Sequence, residues 1–278
     1  LMNYLSLITT YCLSGRKMAV WSSDSKSILS NTKETLNCKL NKEFDPFCMH
    51  IKNRGSVQGA QRVLSSVVKK YKFVARFDVD SYYSSINHKC LLSTLSSFDL
   101  DSCIIDIVED YLSLPDSNKT GIGMTAGGSI SPILGALYLL PLDRALRRLT
   151  QDKSIFYLRY MDDFIILTKS RWKLKNAIKL IYKICSSLYL KLHTKEKIFI
   201  GKTEKGFDFL GFFFHPSYPV VPSKVTFKRC VNNIRRLFEQ GYGLPRIRRY
   251  LDHWSSYYKK ALCNLRLINP FCYIMVLY

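Results

Sequence analysis

Three aspartates carry the first chemical signal. Asp78 follows the apolar run Phe73–Phe77, and Asp162 and Asp163 lie in a tight turn between Phe156–Tyr160 and Phe164–Leu167. A carboxylate held beside apolar strands is costly unless a cation or a hydrogen-bond network compensates it. If the two strand ends were neighbours, their hard oxygen atoms would suit Mg²⁺. A pair of such ions stabilises both the attacking and the leaving oxygen of a phosphoryl transfer. Asp is also favoured in turns for its own backbone hydrogen bonding, and for an Asp-Asp dipeptide alone that is the commoner reading.

Carboxylates are scarce in this chain, so where they sit is informative. Among 278 residues there are 42 Lys+Arg against 21 Asp+Glu, a formal net charge of +21. An excess of that size points to polyanionic partners, nucleic acid foremost. A hydrophobic content of 47% with 23% charged residues is ordinary globular usage and argues against a disordered tail or a disulfide scaffold. The nine cysteines are odd in number and form no C-x-x-C pair, which predicts free thiols in a reducing, cytoplasmic compartment rather than a zinc site. The most apolar runs, Ile130–Leu142 and Ile268–Tyr278, fall short of the ~20 residues that span a bilayer, so no membrane association is expected. A chain beginning Leu1-Met2 reads either as an excerpt or as starting at Met2.

The elements that must position the aspartates follow from periodicity. Residues 1–50 show no strong period and read as irregular or peripheral. Val57, Val63, Leu64, Val67 and Val68 recur at helical spacing, and Phe73–Val79 reads as a buried strand. Helices are expected over 88–97 and 102–113, then a loop from Pro115 to Gly123. Ser131-Pro132 predicts the start of one long helix to about Leu149, with Ser as cap. The runs flanking Met161-Asp162-Asp163 form a hairpin, 171–190 an amphipathic helix, and Lys191–Gly201 and Phe207–Phe214 further strands. Beyond Pro222 the chain reads as helical and very basic to about Leu265, with an abrupt apolar ending at Asn269–Tyr278. This order suits an α+β layer, an antiparallel sheet with helices on one face and a helical subdomain after it.

Arg159-Tyr160-Met161-Asp162-Asp163-Phe164 resembles the Tyr-x-Asp-Asp turn of reverse transcriptases, and four more blocks follow the order of the bacterial members, those of group II introns, retrons and diversity-generating elements. Phe77–His88 is similar to their first palm motif and Gly123–Pro132 to their Gly-rich motif. Leu192-His193 with Lys197 resembles the next motif, and Phe207–Gly211 the primer-grip hairpin. The resemblance spans about residues 50–215 and implies a right-hand polymerase palm with short fingers and a thumb-like C-terminal region. The corresponding divisions are 1–70 for the N-terminal fingers region, 71–220 for the palm with part of the fingers, and 221–278 for the basic thumb-like region.

The resemblance implies roles residue by residue. Asp78 and Asp162 would hold two Mg²⁺ ions, with Mn²⁺ as a substitute, Asp163 in support and the Val79 carbonyl completing a shell. Tyr83, five residues after Asp78, would be the steric gate against a ribose 2′-OH; its other reading is a core aromatic. Gly127 and Ala126 would line the incoming dNTP, where Ala126 departs from the Gln most of the family carries. Lys197 would stand near the pyrophosphate leaving group as proton donor or charge stabiliser. Lys52 and Arg54 are the candidates for the triphosphate, and equally plain surface cations. Phe209, Leu210 and Gly211 would form the primer grip, and Arg246, Arg248 and Arg249 would hold template–primer phosphates. The implied function is an RNA-directed DNA polymerase, a nucleotidyltransferase of a bacterial retroelement taking an RNA template, a DNA or RNA primer, dNTPs and, where required, a retroelement RNA or accessory protein. The alternative is a maturase-like RNA-binding protein with little polymerase activity.

Overall fold

The computed structural model describes residues 4–13, 16–116, 118–193 and 197–261. The chain opens with a hairpin of β1 (Leu7–Leu13) and β2 (Arg16–Trp21), followed by α1 (Ser23–Leu40) and α2 (Val57–Val67). Strand β3 (Phe73–Phe77) leads to α3 (His88–Ser96), α4 (Ser102–Ser113), α5 (Ser131–Tyr138) and α6 (Leu140–Leu149). The hairpin β4 (Ile155–Tyr160) and β5 (Asp163–Thr168) is followed by α7 (Arg171–Ser187) and β6 (Phe199–Lys202). Three short strands, β7 (Phe207–Phe209), β8 (Phe212–Phe214) and β9 (Val221–Pro222), precede α8 (Lys224–Glu239) and α9 (Leu244–Ala261).

The central sheet has the order β4-β5-β3-β6, every pair antiparallel. Its two middle strands are apolar almost throughout because both faces are covered. On one face Ala75, Phe77, Phe164 and Ile166 join the large core formed with α1 and α3 to α7. On the other, Val74, Leu158, Ile165 and Leu167 pack with Ala60, Leu64 and Val68 and with the Phe207, Phe209, Phe212 and Phe214 cluster. The α+β class stands, with the main helical layer on one face as expected. The opposite face is closed by α2 and the β7–β9 sheet.

Four expectations are corrected. Residues 1–50 hold a hairpin and a long helix. The buried stripe of α1 is Ser25, Leu29, Thr32, Leu36 and Leu40, so two of its five members are polar and an apolar count misses it. The single helix over 131–149 is two helices broken around Leu139, because Pro141 has no N–H for the Leu137 carbonyl and its ring crowds the preceding turn. Ser131 is not the cap: Ile130 occupies that position, and the Ser131 hydroxyl donates to Thr125 and Gly128 carbonyls. Of Lys191–Gly201 only the end is strand; Leu192 instead makes an isolated bridge with Val79. The helix end near Leu265 and the apolar ending Asn269–Tyr278 lie outside the described residues.

Candidate active site

The carboxylates meet because of register. Phe77 of β3 pairs with Phe164 of β5, so Asp78, one residue on, lies beside Asp163, one residue back. Tyr160 pairs with Asp163 across the hairpin, leaving Met161 and Asp162 as a two-residue loop. Such loops favour positive φ at the first position, and Met161 has φ 58°. Burial and the neighbouring Asp78 and Asp162 charges push the Asp163 carboxyl up to about 7. Arg76 and Lys197 oppose that shift.

A second segment closes on Asp78. His193 N–H donates to the Asp78 carbonyl at 3.0 Å, and Asp80 N–H to the Lys191 carbonyl at 2.8 Å. This pairing brings His193 Nε2 and Lys197 Nζ each to 3.6 Å from Asp78 Oδ2. The same His193 nitrogen lies 3.6 Å from Asp80 Oδ1 and 2.9 Å from Lys197 Nζ. Arg76 locks this corner from below, donating to the carbonyls of Asp208 and Lys197 at 2.8 Å each.

The fit to a divalent cation rests on the donor set. Asp78, Asp162 and Asp163 supply only hard oxygen, and their mutual repulsion is the condition a cation relieves. Among the described residues no three His, Cys, Asp or Glu side chains converge into a ready-made cage. Mg²⁺ rarely uses one; it is held by one or two carboxylates, waters and substrate phosphates.

Tyr83 and the Gly-rich loop form the neighbouring wall. The Tyr83 carbonyl accepts Met124 N–H at 2.7 Å, and its ring lies 5.6 Å from that of Tyr82. Gly135 of α5 faces both rings; a Cβ there would stand 3.3 Å from each. Ala126 is buried, and its N–H donates to the Lys17 carbonyl at 2.8 Å. Gly127, with φ 82°, has the Met18 side chain against it, closer than a Cβ would allow. The amino-terminal hairpin thus leans on the loop that was expected to meet the incoming base pair.

Other expected residues stand elsewhere. Lys52 pairs with Glu34 at 2.8 Å, and Arg54 binds Asn41 through both its side chain and its carbonyl, so both are engaged with α1 and the turn at its end. Phe209 is fully buried, and Leu210 and Gly211 form the half-buried corner of the β7–β8 hairpin, both at positive φ. The Leu210 carbonyl accepts Gln61 Nε2 at 3.2 Å, and the Gly211 carbonyl accepts Ser223 N–H at 2.9 Å. Arg246, Arg248 and Arg249 are exposed on α9.

Sequence reasoning assigned no role to His193, although it stands inside a quoted motif. It also missed Arg159, a lone cation in an apolar strand. Arg159 is wholly buried, with Nε 2.8 Å from Asp143 Oδ1 and Nη2 on Oδ2, while Tyr157 Oη donates to the same carboxylate at 2.6 Å. This pair fastens β4 to α6 directly behind the turn. A buried charge needs a partner, so an Arg within an apolar run was the available signal.

The family described as reverse transcriptase (RNA-dependent DNA polymerase) matches residues 13–214. A search among curated proteins found no match. Among solved structures, apo telomerase from Candida tropicalis superposes with TM-score 0.59 at 15% identity, covering 89% of this chain and 58% of that one. A C-terminally truncated apo form from the same organism gives 0.53 at 16% identity over 72% and 45%. Candida albicans telomerase in complex with a fragment of telomeric RNA gives 0.53 at 13% identity over 73% and 38%. At such identities the likeness is one of fold, and the chain spans well under two thirds of each telomerase. Its family match covers most of its own length: this chain belongs to the reverse transcriptase family.

Proposed function

We propose that the chain is an RNA-directed DNA polymerase that adds dNTPs to a primer 3′-OH on an RNA template. The observation carrying this reading is the β3–β5 register, which sets Asp78 beside Asp163 at the mouth of a short turn. Bound divalent cations would activate the primer hydroxyl and offset charge on the pyrophosphate. Asp78, Asp162 and the Val79 carbonyl would hold them, with Asp163 in support. Lys197, 3.6 Å from the Asp78 carboxylate, would donate a proton or positive charge to the departing pyrophosphate. Tyr83 narrows the sugar side of the pocket, and Gly127 lets the backbone approach the nascent pair. The Leu210–Gly211 corner supports the primer end, and the α8–α9 cations grip phosphates irrespective of sequence.

The order of motifs from Phe77 to Gly211 favours a retroelement enzyme of the group II intron, retron or diversity-generating kind. Primer extension on an RNA template with Mg²⁺ and each nucleotide set tests the activity. Incorporation of dNTPs that vanishes with chelator supports it. Binding of a structured RNA without extension would favour the maturase-like alternative.

A further inference from the structure

Met161 is held at both of its peptide groups. Its carbonyl accepts from Arg159 Nη1 at 2.8 Å, and its N–H donates to His50 Nδ1 at 2.9 Å, across 111 positions of sequence. A non-glycine residue at φ 58° persists only where the surroundings over-determine it.

His50 reaches the turn by register. The segment Asp45–Ile51 runs beside the end of β4 and adds a short parallel edge to it. Arg159 N–H donates to the Phe47 carbonyl at 3.0 Å, Met49 N–H donates to the Arg159 carbonyl at 2.8 Å, and Cys48 bridges to Arg159 in parallel. Two residues further on, His50 falls beside Met161. The segment is itself fixed, with Phe47 N–H on Asp45 Oδ1 at 2.8 Å and Cys48 N–H on the Asp45 carbonyl at 2.9 Å.

The ring can act only as an acceptor here. A nitrogen that receives a backbone N–H carries no proton of its own, so the proton sits on Nε2 and the imidazole is neutral. Burial and the nearby Arg159 charge agree, lowering the His50 pKa to about 3. The ring packs edge-on to Tyr160 at 5.9 Å, and Cys48 Sγ lies 3.6 Å from the same Nδ1. Nε2 is buried and faces the Pro132 carbonyl, which opposes the lowering of the ring's pKa, without a hydrogen bond of good geometry.

We propose that His50 is a positioning residue for nucleotidyl transfer: its neutral imidazole pins the Met161 peptide and so sets the direction in which the Asp162 and Asp163 carboxylates leave the turn. This rests on the reading of those aspartates as the cation-binding pair. A side chain from the N-terminal third of the chain thereby reads out in the chemistry of the palm without touching substrate.

The test compares His50→Phe, which keeps a ring against Tyr160 but removes the acceptor, with His50→Asn, whose Oδ1 falls near the position of Nδ1. Single-turnover dNTP incorporation, template–primer affinity and thermal melting are measured on the full chain. His50→Phe should lose about 10- to 100-fold in kcat, the scale of a small misplacement of reacting groups, with template–primer affinity unmoved. His50→Asn should recover most of that loss. Wild-type kcat in His50→Phe overturns the proposal. So does a His50→Asn variant no better than His50→Phe, including the case where both merely melt earlier. If His50→Phe fails to fold, His50→Gln takes its place, since its oxygen overshoots Nδ1. Reduced kcat in a folded His50→Gln protein supports the proposal and unchanged kcat overturns it. Asp162→Asn runs alongside: full activity there removes the cation assignment itself, whatever the His50 variants do.

Discussion

Around Asp162 the backbone is tied on every side. Met161 is bonded at both peptide groups, Arg159 is paired with Asp143, and Leu158, Phe164 and Ile165 behind the turn are wholly buried. Along α8 and α9 the opposite holds. In α8 the one buried residue is Cys230, and α9 sinks Leu251 and Tyr258 while Arg246, Arg248 and Arg249 project into solvent. The first region spends its packing on fixing a few oxygen atoms, as a transition state demands. The second needs only a positive surface of roughly the right shape, because phosphate contacts tolerate imprecision. The expected consequence is a division of labour: changes at the turn alter rate, and changes on the helices alter grip.

The largest effect that sharpens this division is Asp162→Asn. Loss of a cation ligand removes several kcal/mol of transition-state stabilisation, so incorporation should fall about 10³-fold or more. Template–primer affinity should stay within about twofold, since no phosphate-binding cation is touched. Parallel loss of both would break the comparison.

Next comes the scaffold behind the turn. Asp143→Asn removes the carboxylate charge paired with Arg159 and leaves the guanidinium buried without it, which costs about 3–5 kcal/mol of stability. Urea unfolding measures it. A loss under about 1 kcal/mol would mean that the turn does not depend on this pair.

The strands around the aspartates were legible because apolar runs around Asp78 and Asp162 are local patterns, and antiparallel pairing follows from so short a turn, although Asp163 belongs to the strand and not to the turn. The partners that hold them were not. His50 and Met161 meet through a parallel edge between segments far apart in sequence, which no periodicity reports. Helix α1 was hidden by Ser25 and Thr32 in its buried stripe, and the break before α6 hung on Pro141, read as part of one helix. For Lys52 and Arg54 the sequence left two readings, triphosphate cations or plain surface cations, and it did not show the contacts they make, Lys52 with Glu34 of α1 and Arg54 with Asn41 just after it.

Tyr83 lies at the rim of the rigid region, where a smaller effect is expected. With Gly135 giving its ring room, Tyr83→Ala should open space for a 2′-OH. The ratio of kcat/KM for ribonucleotide over deoxynucleotide should rise about 10- to 100-fold. An unmoved ratio makes Tyr83 a core aromatic packed against Tyr82 and nothing more.

The smallest and most diagnostic effect belongs to α9. Replacing Arg246, Arg248 and Arg249 with Ala removes three exposed cations from a chain of net charge +21, so the fold should be indifferent. If each neutralises one phosphate, the slope of log affinity against log salt should flatten by about 0.7–0.9 for each arginine lost. Affinity at physiological salt should drop about tenfold, alike for unrelated duplex sequences, because phosphates carry no sequence information. The single-nucleotide rate on saturating primer–template should hold, while the number of nucleotides added per binding event falls, since dissociation now competes better with each step. The helices' aromatic residues bear on the same measurement. Tyr258 and Trp254 meet at 4.6 Å in a tilted contact and Tyr258 packs against Phe212, so these two anchor α9 to the β7–β9 sheet, while Tyr257 and, on α8, Phe238 stay exposed. Arg246, Arg248 and Arg249 lie outward on α9 beside Leu244 and Tyr257, and the part of the grip made of charge must weaken with salt. An arginine-free α9 that lost affinity for one structured RNA alone, at unchanged salt slope, would make this surface a reader of RNA shape and erase the contrast with the turn.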